Sequence, residues 1–274
     1  MVFKPVNLTA VGAGWGQSKF SKSVSSSDNV SILVNETQSI VSSLPSGFTY
    51  LDNVCKTIQT SVRYCSCENF LGCRVDGYHV RRIVLTQAAA EALAKVQAAV
   101  QKDGYSLVVY DGYRPQRAVD HFVRWSEDNT DVSKKMQYYP FVDKQNLFDL
   151  GYIAKRSGHS RGSTVDLSLI RLGKQSLDTP VVSYRTFEMP LDDGQTITLP
   201  YLDDNTVDMG SSFDMLGEAS HYDCSFIPSS CKVLREYLCL KMTEQGFEPY
   251  SQEWWHFTLN PEPFPDTYFD FEIL

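Results

Sequence analysis

The chain has 274 residues, 42% hydrophobic and 21% charged, with a net charge of -8. This is the balance of an ordinary globular protein with ample material for a core, and the absence of a basic run or stripe speaks against nucleic acid as its main partner. No apolar run approaches the ~18 residues of a membrane span, and Met1 to Phe20 lacks the charged start and apolar centre of a secretory signal, so a cytoplasmic location is expected.

Seven cysteines are present, and Cys55, Cys65, Cys67 and Cys73 crowd together without a paired Cys-x-x-Cys spacing. Reduced thiols are therefore expected. Against a reducing compartment stand glycosylation acceptor triplets at Asn7, Asn29 and Asn35, a pattern that Ser- and Asn-rich sequence also produces by chance.

Residues 1–45 are rich in Ser, Gly and Asn. Such a composition buries little, so a flexible or loosely docked extension is expected, with a short strand at Val30–Val34. The folded body is expected over 46–274, opening at Phe48, and Tyr64 to Tyr78 reads as irregular chain punctuated by Gly72 and Gly77. Thr86 to Lys102 is the clearest helix. Thr86 caps it, Ala89, Leu93, Val96 and Val100 make one stripe, and Gly104 follows. Ser106 to Tyr110 is a short buried strand that leads into Asp111-Gly112-Tyr113-Arg114-Pro115. Pro115 suits the start of a helix whose Ala118, Phe122 and Trp125 share a face. Arg114 stands at that junction, where side chains commonly point into sites, although spacing alone favours a surface Arg pairing with Asp111 or Asp120. His79, His121 and His221 read as partly exposed histidines without a role.

Ser157 to Leu167 is the first chemically loaded stretch. Val165, Leu167 and Leu169 point one way and Asp166 the other, and Gly158 and Gly162 let the preceding loop bring His159 over the face of Asp166. Val181–Met189 and Gln195–Leu199 then alternate in strand fashion around Asp192-Asp193-Gly194, which reads as a hairpin with an acidic tip. Cys231 to Gln245 is the last helix, with Leu234, Leu238 and Met242 on one face and Gly246 as its stop. Trp254 to Leu259 reads as a strand, and Pro261 onward as a tail packing across the body.

His159 and Asp166 have six residues between them, and Glu253 and His256 have two. Two imidazoles and two carboxylates are the inventory of a catalytic zinc site: His159, Asp166 and His256 as ligands, a fourth position for water, and Glu253 as general base. In a regular strand Glu253 and His256 would face opposite sides. Both reach one metal only if the chain bends near Trp254, so the regular strand is expected to start after Glu253.

The order Ser-x-His-x-x-Gly-x-x-x-Asp, then Glu-Trp-Trp-His, resembles the VanX-type D-alanyl-D-alanine dipeptidases. These are zinc enzymes of the wider group that includes D,D-carboxypeptidases and the hedgehog signalling domain. Further matches are Tyr64 to Tyr78, Asp111 to Pro115, Met209 to Asp214 and Pro265 to Phe271, so the likeness covers 50–274. It implies an α+β fold with a central antiparallel sheet flanked by helices, one zinc ion per chain, and hydrolysis of D-Ala-D-Ala to two D-alanines. It further implies that Arg114 faces the substrate oxyanion, that Asp214 takes the ammonium, and that Ser157, Tyr64, Tyr78 and Asp111 complete the substrate contacts. Where the family has a short hairpin this chain has an insertion near 172–207, and deleting most of Gly173 to Asp204, with a short Gly-containing turn in its place, is expected to leave a folded protein. Other readings are a D,D-carboxypeptidase or another cell-wall peptide amidase using the same zinc site, and a non-catalytic zinc-containing binding module. The last has little reason to keep Glu253.

Overall fold

The structure, a computed structural model, describes residues 44–189 and 194–274. The expected N-terminal extension up to residue 43, its strand and its acceptor triplets, and the acidic pair of the hairpin tip lie outside the described residues.

In chain order the strands and α-helices are β1 (Phe48–Tyr50), α1 (Leu51–Val54), β2 (Gln59–Thr60), β3 (Val84–Thr86), α2 (Gln87–Lys102), β4 (Tyr105–Asp111), α3 (Gln116–Glu127), α4 (Lys135–Tyr138), β5 (Thr164–Arg171), β6 (Val181–Glu188), β7 (Thr196–Asp203), α5 (Ser229–Thr243), β8 (Phe247–Tyr250) and β9 (Glu253–Leu259). The start of α2 has the expected cause, since the Thr86 hydroxyl accepts from the Ala89 N–H. Ala89, Leu93, Val96 and Val100 are fully buried. Gln97 is buried beside them, and its amide spans the gap to β4 by donating to Ser106 Oγ and accepting from Leu107 N. Helix and strand are thus joined by polar bonds as well as by apolar packing.

The main sheet has the order β2-β4-β5-β9-β8. Its body is antiparallel, and the two-residue edge strand β2 runs parallel to β4, so the sheet of this α+β fold is mixed. All of β5 except Arg171 is buried. The alternation seen in its sequence distinguishes two faces, and the polar face of Asp166 and Ser168 is also covered because the strand is central.

The pair β6–β7 is a separate two-stranded sheet running from Val181↔Asp203 to Glu188↔Thr196. Phe187 and Leu199 pack with Met215, Phe226 and Ile227 in a second, smaller apolar cluster. At the base, Asp204 pairs with buried Arg63 at 2.7 Å and accepts from Tyr110 at 2.8 Å. A deletion that reaches Asp204 would leave the buried Arg63 cation without a carboxylate, and one that takes only the strands would still uncover that cluster. The packing therefore attaches a cost in stability to the expected deletion. All seven cysteines are unpaired, and no described helix is long and apolar enough to cross a membrane.

Candidate metal centre

Register across three neighbouring strands creates the centre. Asp111 of β4 is opposite Asp166 of β5, and Asp166 is opposite His256 of β9. His159 comes from a 3-10 turn, Gly158–Arg161, capped at one end by Ser157, whose Oγ accepts from His159 N, and at the other by left-handed Gly162. A side chain at Gly162 would collide with the Phe48 ring, so only glycine permits the turn to close there. The His159 carbonyl also accepts from Arg114 N, which ties the turn to the β4–α3 junction.

His159 Nε2 lies 3.2 Å from Asp166 Oδ2 and 3.4 Å from His256 Nδ1. His256 Nδ1 lies 3.2 Å from Asp166 Oδ1 and 3.3 Å from Glu253 Oε2. One donor atom from each of His159, Asp166 and His256 falls within 4.8 Å of the others. The Gly112 carbonyl, 2.8 Å from His159 Nδ1, can only accept. It therefore fixes the proton on Nδ1 and leaves the Nε2 lone pair facing Asp166. Asp166 Oδ1 is buried with no hydrogen-bond partner, a deficit that a cation satisfies. Two imidazole nitrogens and one carboxylate suit a divalent zinc ion.

The electrostatics agree. Burial alone would raise the Asp166 carboxyl, but His159 and His256 outweigh it and hold the group well below the usual range. Burial disfavours the His256 imidazolium, yet the adjacent carboxylates of Asp166 and Glu253 lift it to about 9. The carboxylates of Asp166 and Glu253 thus give the centre surplus negative charge, which favours a cation there.

Glu253 and His256 reach the same point because β9 is irregular there. Pro249 is opposite Phe257, but Tyr250 is opposite Glu253, so the register slips between the two. The expected bend is present, and the strand includes Glu253 where it was expected to begin one residue later. Trp254 is in the core and Trp255 lines the cavity beside the centre.

Arg114 is no surface residue. Its Nε and Nη2 donate to Asp111 Oδ2 at 2.9 and 2.8 Å, and Nη2 stands 3.4 Å from Asp166 Oδ2. Asp120 is taken by Gln116 instead. Tyr78 donates to Asp111 Oδ1 at 2.7 Å. Tyr64, Ser157 and Asp214 line the cavity, whereas Tyr78 and Asp111 stand behind its wall and orient Arg114. Tyr64 OH donates to Asp214 Oδ2 at 2.9 Å. Burial raises the Asp214 carboxyl well above its ordinary value, and the Asp166 charge adds to the rise. An arriving cation would lower it again. Tyr152 and Tyr250 also line the cavity, and Tyr152 OH lies 2.8 Å from His221 Nε2. Neither tyrosine carries a signal in the sequence, because the first lies in irregular chain and the second ends a four-residue strand.

The sequence profile of the peptidase M15 family, D-ala-D-ala dipeptidase, matches residues 45–179 and 182–273. The D-alanyl-D-alanine dipeptidase of Streptomyces coelicolor is 38% identical over 82% of this chain and 98% of its own length. That of Enterococcus faecium is 38% identical over 83% of this chain and 98% of its own length. Among solved structures, a vancomycin-resistance D,D-pentapeptidase, VanY, in complex with Zn(II), aligns over 64% of this chain and 72% of its own with 14% identity and a TM-score of 0.33.

Proposed function

The chain belongs to the peptidase M15 family of D-ala-D-ala dipeptidases, and from that premise we propose that it cleaves D-Ala-D-Ala to two D-alanines at a zinc ion held by His159, Asp166 and His256. The observation that carries this reading is the cavity itself. Its volume is about 190 Å³ and its lining combines the three ligands, Glu253, Arg114 and Asp214. Pockets for drug-sized ligands run to roughly 300–1,000 Å³, so a space this small suits a dipeptide better than a longer peptide.

A zinc ion at this centre would supply a Lewis acid for the scissile carbonyl and lower the pKa of a water at its open position. Glu253, beside His256, is placed to take a proton from the attacking water and return it to the leaving amine. Arg114, held from behind by Asp111, directs its remaining donors towards the carbonyl oxygen as charge develops on it. Asp214 and Tyr64 offer an acceptor pair to the substrate ammonium. Ser157 Oγ accepts from His159 N, so its own hydroxyl proton is available to the substrate carboxylate.

The test is purified, zinc-loaded protein offered D-Ala-D-Ala, L-Ala-L-Ala and N-acetyl-D-Ala-D-Ala. Only the first should be hydrolysed well. Equal turnover of the blocked peptide would replace the dipeptidase reading by a D,D-carboxypeptidase, and turnover of none would remove both.

A further inference from the structure

Arg235 of α5 is only 1% exposed, and among the described residues it forms no ion pair with a carboxylate. Its guanidinium is spent on neutral acceptors of one segment. Nε donates to the Met209 carbonyl at 2.7 Å, Nη1 to the His221 carbonyl at 2.6 Å, and Nη2 to the Ala219 carbonyl at 2.7 Å, with Ser211 Oγ at 3.4 Å. Two of these acceptors precede Asp214 in the chain and two follow it. The guanidinium therefore closes 209–221 into a loop with Asp214 near its middle. Burial pulls the group down to about 10, so it is cationic at neutral pH.

Burying a cation among neutral groups is costly, and an apolar side chain would fill the same space with less penalty. What Arg contributes that an apolar residue cannot is a planar fork of fixed donors. Asp214 needs such a fixture. Its φ of 60° is left-handed, a conformation that a residue other than glycine keeps only when its surroundings impose it. Ser211 carries the restraint further, because its Oγ also accepts from Trp254 Nε1 at 2.9 Å, next to Glu253 in the chain.

We propose that Arg235 is a positioning residue that holds Asp214 at the cavity and so sets recognition of the substrate ammonium. The proposal rests on the dipeptidase reading above for its kinetic consequence, and on geometry alone for its structural one. Arg235 touches no substrate and acts through backbone carbonyls.

Four zinc-loaded variants test it with D-Ala-D-Ala: Arg235→Gln, Arg235→Lys, Asp214→Asn, and Arg235→Gln combined with Asp214→Asn. Displacing a positioned group by about 1 Å can cost of order 10²-fold. Arg235→Gln should therefore raise KM by roughly 10- to 100-fold, with kcat changed by less than about threefold and zinc retained. Arg235→Lys keeps the charge without the fork and should recover part of the loss. The double variant should be no worse than Asp214→Asn, because one loss contains the other. Multiplying losses, or an unchanged KM in folded Arg235→Lys, would overturn the proposal, and the lysine variant decides alone if Arg235→Gln does not fold. A crystal structure of Arg235→Lys adds a readout independent of turnover. The Tyr64–Asp214 bond should be lost or lengthened, and an unmoved Asp214 refutes the proposal even if the wild type proves to cleave some other peptide.

Discussion

The strands around the metal centre and the hairpin β6–β7 are held in different ways. Asp166 has a strand on each side, Asp111 opposite it on one and His256 on the other, and nearly all of β5 is buried. The hairpin strands pair only with each other, and β6 is exposed along most of its length, Phe187 excepted. Position at the centre is over-determined by register, whereas the hairpin depends on its own pairs, a small apolar cluster, the packing of Leu202 at its base against the main core, and one buried ion pair there. Substitutions at the centre should therefore be felt in chemistry while the fold survives. Substitutions in the hairpin should be felt in stability while the chemistry survives.

The largest effect belongs to the ligands. Replacing His159, Asp166 or His256 by Ala removes one of three protein donors, so zinc should be lost or greatly weakened and turnover abolished. Metal analysis with a full zinc equivalent in any variant would remove that residue from the ligand set. Next is Glu253→Gln, which is nearly isosteric and should keep both the metal and the bend in β9. Loss of a general base removes about two to four orders of magnitude in rate, and one that also serves the leaving amine belongs at the upper end. Near-normal kcat would mean that another group activates the water. Arg114→Lys should lower kcat with zinc unchanged, since the ammonium cannot reproduce the fork on Asp111 and the carbonyl oxygen together.

The contrast also governs what could be read from the sequence. The candidate ligands His159, Asp166 and His256, with Glu253 beside them, were legible because they come in two local pairs of metal-binding chemistry, and the period-two rule forced a bend that the register slip at Tyr250 and Glu253 supplies. The place of Arg114 was not fixed by spacing. Asp111 lies three residues before it and Asp120 six after, both within reach of a long side chain, and the register that brings Asp111 beside Asp166 decides between them. Tyr78 and Asp111 were expected at the substrate, but burial assigns them to the support of Arg114. Tyr152, His221 and Arg235 were invisible as a group, since long-range packing alone brings two loops and helix α5 together. The hairpin strands follow from alternation, yet nothing in their pattern announces that Asp204 closes on Arg63, residues 141 apart in the chain.

That ion pair provides the sharpest test on the hairpin side. Asp204→Ala strands the Arg63 guanidinium, whose side chain is only 6% exposed. Removing one partner of a buried pair costs about 3–5 kcal/mol, so the denaturation midpoint should fall markedly at an unchanged m-value. Turnover per folded molecule should remain within about twofold of wild type, far from the factors of 10² that displaced catalytic groups cause. Arg63→Met combined with Asp204→Leu should recover much of the stability, because it removes both charges from the site. A double variant as unstable as Asp204→Ala would mean that the pair contributes more than the relief of its own burial.

The smallest effect is expected at the exposed middle of the hairpin, where Thr186 and Thr198 face each other across β6 and β7 with their hydroxyls 2.9 Å apart. A directly opposite pair of this kind contributes roughly 0.2–1 kcal/mol relative to Ala–Ala, and water can replace the bond at either oxygen. Thr186→Ala with Thr198→Ala should therefore lower stability by less than about 1 kcal/mol and leave kcat, KM and zinc content at wild-type values. This variant tests the separation of the two regions more severely than Asp204→Ala, because it perturbs the hairpin without threatening the body. If kcat on D-Ala-D-Ala fell by about tenfold, equivalent to 1.4 kcal/mol in the barrier, the change in chemistry would exceed the change in stability. The hairpin would then be coupled to the cavity through the cluster it shares with Met215, next to Asp214 in the chain, and the division between a chemical sheet and a structural hairpin would fail.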